Sequence, residues 1–292
     1  MSATTLLAER FEQHRTHLKA VAYRLLGSLA EADDAVQQTW LRLDRTDPDE
    51  VENLGGWLTT VVSRICLDML RSHSARPEEG LDTHLPDPIV TGPGGLGPED
   101  QVVLTESVGL ALQVVLDRLK PAERLAFVLH DMFAVPFEDV ASLAGRTPES
   151  VRQLASRARR RVAHEAPSPD GDLDQQRQAV DAFFAATRAG DFDALVAVLD
   201  PDVVLQADGG ESRPKVSALV QGAATIAKQA LMFRALAAEL HPVLVNGAPG
   251  ALVTRDGQPL TLFAFTVRDD HIVRIDLLGD PIRLAAISLA TP

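Results

Sequence analysis

Four guanidinium groups in five consecutive positions, Arg157 to Arg161 with Ala158 between the first two, form a compact cationic run. Cations so spaced neutralise phosphates, and Glu149, Arg152, Gln153 and Ser156 just upstream carry the donors and acceptors that meet base edges. The apolar residues Val151, Leu154, Ala155, Ala158 and Val162 fall on the opposite face at helical spacing. The pattern predicts a helix from Pro148 to Val162. Gly145 stops an earlier helix, Thr147 offers an N-cap hydroxyl and Pro148 suits the first helical position. Phe137 to Val162 thus reads as a helix-turn-helix, the geometry by which many proteins enter the major groove of DNA. An amphipathic helix with a solvated arginine face has the same pattern, and the two readings stand side by side at this level.

The formal net charge of −13 looks wrong for nucleic-acid binding until it is divided along the chain. Residues 1–76 carry 9 basic and 11 acidic side chains, 77–106 carry 0 and 7, 107–164 carry 9 and 6, and 165–292 carry 10 and 17. One modest basic patch binds DNA weakly alone, because affinity comes mainly from counterions released at neutralised phosphates. A larger partner holding the DNA resolves this.

The elements that must position these residues fall into blocks. Residues 6 to 29 form a helical segment closed by Gly27, and Ser28-Leu-Ala-Glu31 has the form of a capping box. The next helix turns Ala35, Val36, Trp40 and Leu43 inward and Asp33, Asp34, Gln37 and Gln38 outward. After an acidic loop, a third helix runs from about Trp57 to Arg71. Arg76 to about Asp100 is rich in Pro, Gly and acid and reads as a linker unable to support a packed core. Helical periodicity resumes near Val103, continues to Leu119, and runs from Ala122 to Met132 ahead of the helix-turn-helix. Beyond a second break at HEAPSPDGD, helices at Leu173 to Ala189 and Phe192 to Leu199 precede a strand at Val203 to Ala207. One further helix is expected over about Val216 to Leu236, then four strands with turns such as Asp256-Gly257. Helices first and an antiparallel sheet afterwards predict an α+β domain with the helices on one face.

Nothing in the sequence signals export or a membrane span, so a cytoplasmic protein is expected. The single Cys66, beside Val62, Ile65 and Met69, excludes an intramolecular disulfide and a cysteine cluster for zinc, and reads as core. No metal site, catalytic residue or cofactor is expected.

On these residues the chain resembles the sigma-70-type initiation factors of the extracytoplasmic-function group, which direct bacterial RNA polymerase to promoters. The match rests on DDAVQQTWLRL and GGWLTTVVSRICLDMLRS for region 2, and on the helix-turn-helix for region 4. The resemblance implies a multidomain fold: region 2 over 1–76, an acidic linker over 77–106, region 4 over 107–165, and a regulatory domain over 172–292. It implies that Asp33, Asp34 and Gln37 contact the polymerase core enzyme, and that Trp57, Arg64, Asp68 and Arg71 meet the −10 element, where aromatic and Arg side chains suit an extruded base. Trp57 is equally compatible with core packing. The −35 element then falls to Thr147, Glu149, Ser150, Arg152, Gln153, Ser156, Arg157 and Arg160.

The last 120 or so residues resemble a SnoaL-like domain of the NTF2-like superfamily by element order. A subgroup of these sigma factors carries that fusion with three short motifs, matched here by HLPDP (Leu85, Pro86, Pro88), DGGES (Asp208, Gly209, Gly210) and, loosely, DPIRL (Asp280, Pro281). The resemblance implies that this domain contacts the sigma core and linker and tunes activity in cis, with a small-molecule ligand in its pocket as a variant. Two rivals remain at this level. NTF2-like pockets elsewhere host enzymes, for which Asp208, His241 and Asp276 are the available bases. A plain helix-turn-helix repressor would leave residues 7–73 unexplained.

Overall fold

The computed structural model describes residues 3–46, 53–74, 83–92, 109–166, 172–232 and 238–287. The core of the acidic loop before Trp57, the resumption of periodicity near Val103 and the stretch up to Leu236 lie outside the described residues. The chain forms two compact units, Met1–Glu78 with Gly97–Glu106 and Gln113–Glu165, and Glu79–Leu96 with Ser107–Leu112 and Ala166–Pro292.

In the first unit, α1 (Ala3–Leu26), α2 (Leu29–Leu43) and α3 (Leu54–Ser74) pack together. Leu18, Val21, Leu25, Leu58, Val62 and Cys66 are buried among them, and Trp40 packs on Phe11 with ring centres 5.1 Å apart. Ser28 caps α2 by accepting from the Glu31 N–H at 3.4 Å. Helix α3 starts earlier than its apolar periodicity implied, at Leu54, because the Asn53 side chain accepts from the Gly56 N–H at 3.0 Å and carries the helix through two glycines. Burial pushes the Cys66 thiol up to about 12, which fits a packing role.

From Gln113 onward the unit continues with the rest of α4 (Leu110–Asp117), then α5 (Pro121–Ala126), α6 (Phe137–Ala144) and α7 (Pro148–Glu165). The expected straight helix to Met132 is interrupted: from Phe127 the turns widen into a π-helix ending at Met132. His130 holds this wider turn by stacking on Phe137, 3.5 Å between ring centres, with Nδ1 3.0 Å from the Val135 carbonyl. The C-terminal carbonyls of α1, which lack partners within the helix, are met from this half of the unit. Gln113 donates to the Tyr23 and Arg24 carbonyls at 3.3 Å each, and Arg124 donates to the Arg24 carbonyl at 3.1 Å.

The second unit holds β1 (Val90–Thr91), α8 (Leu173–Ala189), α9 (Phe192–Val198), β2 (Leu199–Asp208), β3 (Ala218–Gln221), α10 (Ala223–Met232), β4 (Glu239–Val245), β5 (Ala248–Arg255), β6 (Gln258–Arg268), β7 (His271–Leu278) and α11 (Pro281–Ala285). Its seven strands lie in the order β1-β4-β5-β6-β7-β2-β3. The hairpin turns Asn246-Gly247, Asp256-Gly257 and Asp269-Asp270 all have positive φ at both positions, the conformation that matches strand twist. Helices α8 to α10 cover one face, where Phe183, Phe265 and Ile275 are buried and Phe184 and Phe263 pack alongside. Each fully buried ring is worth about 2–3 kcal/mol.

Two expectations are corrected here. The start of the helix expected from Val216 is strand β3, paired antiparallel along β2, and the helix begins only at Ala223, after Gly222 turns the chain at φ +96°. The sheet is not wholly antiparallel, since β2 runs parallel to β7. Of the described linker residues, Leu85 and Pro86 are buried in this unit and β1 extends its sheet. Composition does not show the surface that receives them.

Candidate functional site

Helix α7 begins as its residues dictate. The Thr147 hydroxyl accepts from the Ser150 N–H at 3.2 Å, and Gly145, at φ +65°, lets the Arg146 N–H reach the Ala141 carbonyl at 3.0 Å. Val151, Ala155 and Ala158 are buried, while Glu149, Arg152, Gln153, Ser156, Arg157 and Arg160 are exposed and Ser150 is half-buried. The four arginines of the run divide by helical phase. Arg159 pairs with Asp131 at 2.8 Å, and Arg161 donates to the Arg118 carbonyl at 3.2 Å, so both brace the domain. Arg157 stands 4.0 Å from Glu123 and Arg160 reaches back to the Ser156 carbonyl at 3.4 Å, both on the open face. Arg152 is held by Glu138 at 2.9 Å and lies 5.3 Å over the Phe137 ring, so the first helix of the motif aims a side chain of the second.

On α3, Trp57, Arg64, Asp68 and Arg71 form one stripe about 21 Å long at 1.5 Å per residue. Arg64, Asp68 and Arg71 are exposed, Asp68 and Arg71 being 3.6 Å apart, and Trp57 is half-buried, between its two readings. On α2, Asp33, Asp34 and Gln37 are exposed, with Asp33 2.8 Å from Lys19.

The strongest polar cluster lies in the second unit, on the sheet face opposite α8 to α10. Asp208, 3 % exposed, ends β2. Its carboxylate accepts from the Leu85 N–H at 2.9 Å, the Gly210 N–H at 2.9 Å and Arg283 at 2.8 Å, and lies 3.4 Å from the His84 Nδ1. Burial alone would raise this carboxyl, but the bonds from His84, Leu85 and Gly210 overturn that and hold it at about 2. Arg283 also donates to the Leu85 carbonyl at 2.7 Å and to Asp87 at 2.9 Å. One guanidinium therefore bridges an acidic linker and an acidic domain that would otherwise repel.

The neighbouring motifs shape this bridge. Asp280 caps α11 by accepting from the Ile282 N–H at 2.9 Å, with Pro281 at the first helical position, and so presents Arg283 one turn later. Gly210, at φ +62°, sits so close to the Asp280 carboxylate that any Cβ would collide with it, and the Gly209 N–H donates to Ser217 at 3.0 Å. Further along the linker, Ile89 exchanges bonds with Asn246: its N–H donates to Oδ1 at 2.9 Å and its carbonyl accepts from the Asn246 N–H at 2.8 Å. Beyond it, Val90 and Thr91 pair with Val245 and Leu244 of β4. Leu85, Pro86 and Pro88 lie close over Leu262, Ala264, Asp276 and Leu278 and leave no room there for a water molecule.

The sequence reading singled out Asp208, Gly209, Gly210, Asp280, Pro281, Leu85, Pro86 and Pro88, and the fold brings them together. It missed Arg283, Asp87, Asn246, Gln206 and Arg274. The Asn246-Gly247 turn was a legible signal for the one, and the placement of Arg283 three residues after a cap for another. The candidate bases are otherwise engaged: Asp276 lies 2.6 Å from Arg274 and His241 lies 2.9 Å from the Thr254 hydroxyl. Among the described residues no group of His, Cys, Asp and Glu could hold a metal ion, and no helix is long and apolar enough to cross a membrane.

Comparison with known proteins gives this geometry its frame. The family model for sigma-70 region 2 matches residues 10–76, and that for sigma-70 region 4 matches 109–162. The ECF RNA polymerase sigma factor SigJ of Mycobacterium tuberculosis is 40 % identical over 287 residues, 93 % of this chain and 91 % of that one. The probable ECF RNA polymerase sigma factor SigI of the same species is 33 % identical over 96 % of each chain. The crystal structure of M. tuberculosis SigJ superposes with a TM-score of 0.77 at 36 % identity, covering 97 % of this chain and 99 % of that one. With helical regions 2 and 4 followed by a sheet domain, this chain belongs to the extracytoplasmic-function RNA polymerase sigma factors.

Proposed function

We propose that the factor grips a promoter with two helical surfaces and that its sheet domain regulates the grip in cis by holding the interdomain linker. In this reading residues 1–76 and 107–165 are the promoter-binding domains, and 172–292 is the regulatory domain. The segment 77–106 is both linker and tethered ligand. The core enzyme docks on the face of Asp33, Asp34 and Gln37. Trp57, Arg64, Asp68 and Arg71 meet the melted −10 strand, and Thr147, Glu149, Ser150, Arg152, Gln153, Ser156, Arg157 and Arg160 meet the −35 duplex. The observation that carries the regulatory part is the single cation Arg283 bridging Asp208 to the Leu85 carbonyl and Asp87. Losing that contact releases the linker at Leu85 and Asp87, while Gln206, Asn246 and strand β4 still hold its other points.

The domain works without turnover. The Asp208 carboxylate, an acid of about 2, is committed to the linker and the Asp276 carboxylate is occupied by Arg274, so neither is available as a general base. No water-sized space remains between Leu85, Pro86 and Pro88 and the sheet, so a small molecule would enter only by displacing them. The factor acts in the cytoplasm, where polymerase and promoter meet.

In vitro transcription with core polymerase tests this, comparing the full chain, Arg283→Met and a 1–165 truncation. The expected result is promoter-dependent transcript from the full chain and a changed level from the other two. Equal output from all three refutes cis regulation, whereas no promoter-dependent transcript from any refutes the assigned DNA contacts.

A further inference from the structure

Beneath the docked linker lies a buried polar row that neither the DNA surfaces nor the Asp208 bridge uses. Gln206 is fully buried on β2, and Arg274 and Asp276 are 6 % and 2 % exposed on the adjacent parallel strand β7. Arg274 donates to Asp276 through Nε at 2.9–3.0 Å and through a terminal nitrogen at 2.6 Å, a two-pronged pairing that fixes the plane of the guanidinium. The same terminal nitrogen donates to the Gln206 Oε1 at 2.8 Å. On the far side of the amide, the Gln206 Nε2 donates to the His84 carbonyl of the linker at 3.2 Å.

The orientation of that amide is forced. A guanidinium has five donors and no acceptor, so it can face only the oxygen of Gln206, and the NH₂ is thereby turned toward the linker. We propose that Asp276 and Arg274 are positioning residues that set Gln206 as a main-chain clamp on the linker. The inference deepens the cis-regulatory reading and takes its significance from it. A buried ion pair adds little net stability over well-packed apolar side chains, so this row is not accounted for by holding the sheet together. Its chemical consequence is a donor of fixed direction at the one face where a carbonyl arrives from another segment. The His84 side chain is exposed, so the clamp reads the backbone there, while Leu85 and Asp87 are read by their own partners.

Hydrogen exchange on the full-length protein separates a clamp from a structural cap for Arg274. Gln206→Glu keeps the shape and gives Arg274 a stronger acceptor, but it turns an oxygen toward the His84 carbonyl. Gln206→Met keeps the approximate shape and removes both bonds. If Gln206 is a clamp, the Leu85 and Ile89 amides exchange about five- to tenfold faster in both variants, the loss of about one net hydrogen bond, while the β6 and β7 amides keep their protection. Unchanged linker exchange in Gln206→Glu overturns the proposal, as does loss of protection throughout β6, β7 and linker together. Transcription by the same variants addresses the underlying reading separately. A linker freed in exchange with promoter output at the wild-type level retires cis regulation and leaves the clamp standing.

Discussion

Asp208→Asn removes one charge from the point where linker, β2 and α11 meet. The carboxyl titrates at about 2 in the folded protein against an ordinary 3.8, a difference worth about 2 kcal/mol in favour of the folded, ionised form. Its folded value is the lower one, so this contribution is complete above about pH 4 and is lost as pH falls from about 4 towards 2. Substitution costs somewhat more than the titration, because Arg283 is left with Asp87 as its remaining carboxylate. Breaking a fully buried pair costs about 3–5 kcal/mol. The retained partner brings the expectation to about 2–4 kcal/mol, roughly a 30- to 1,000-fold shift toward the undocked linker. Hydrogen exchange, corrected for intrinsic rates, reads this at the Leu85 and Ile89 amides. The wild type should keep their protection from neutrality down to about pH 4 and lose it below. Wild-type protection at both amides in Asp208→Asn, with the rest of the sheet unaltered, would falsify the account of Asp208 as the anchor.

Gly210→Ala should destabilise the second unit by more than the roughly 1 kcal/mol of its positive φ, because the added Cβ displaces Asp280. Gly257→Ala, also at positive φ but with open space around it, should cost only the backbone share, and thermal unfolding of the two compares them. Thr147→Ala should cost about 1 kcal/mol of stability through the lost cap of α7, with Thr147→Ser close to wild type by the same melt. Cys66, with its thiol pushed up to about 12, should resist alkylation by iodoacetamide at pH 8 in the native protein and react once denaturant unfolds it.

What the sequence made legible was local. The cap at Thr147, the stop at Gly145 and the phase of α7 are written in adjacent residues, and the Asp256-Gly257 turn announces its hairpin. Helix α8 follows from the apolar stripe of Ala179, Val180, Phe183 and Ala186 between Asp172 and Gly190. The errors arose where distant segments decide. Val216 to Gln221 suits a helix by composition, but pairing along β2 makes Ala218–Gln221 a strand. A Pro-rich acidic linker gives no hint that Asn246 and Val245 are waiting for Ile89 and Val90. Arg283 is inconspicuous alone, since its importance depends on carboxylates 75 and 196 residues away in the chain. The π-helical turn at Phe127 likewise depends on a ring-on-ring contact between His130 and Phe137.

The docked linker also imposes an order on the birth of the molecule. Asp208, Asn246 and Arg283, which receive it, all follow the region 4 helix Pro148–Glu165 in the chain. At about 5–20 residues per second, ribosomes need roughly 6–24 s after Glu165 to reach Arg283. Every newly made copy therefore has regions 2 and 4 complete before its sheet domain can receive the linker. The docked linker is a property of finished chains, and the rate of translation sets how long each nascent one goes without it.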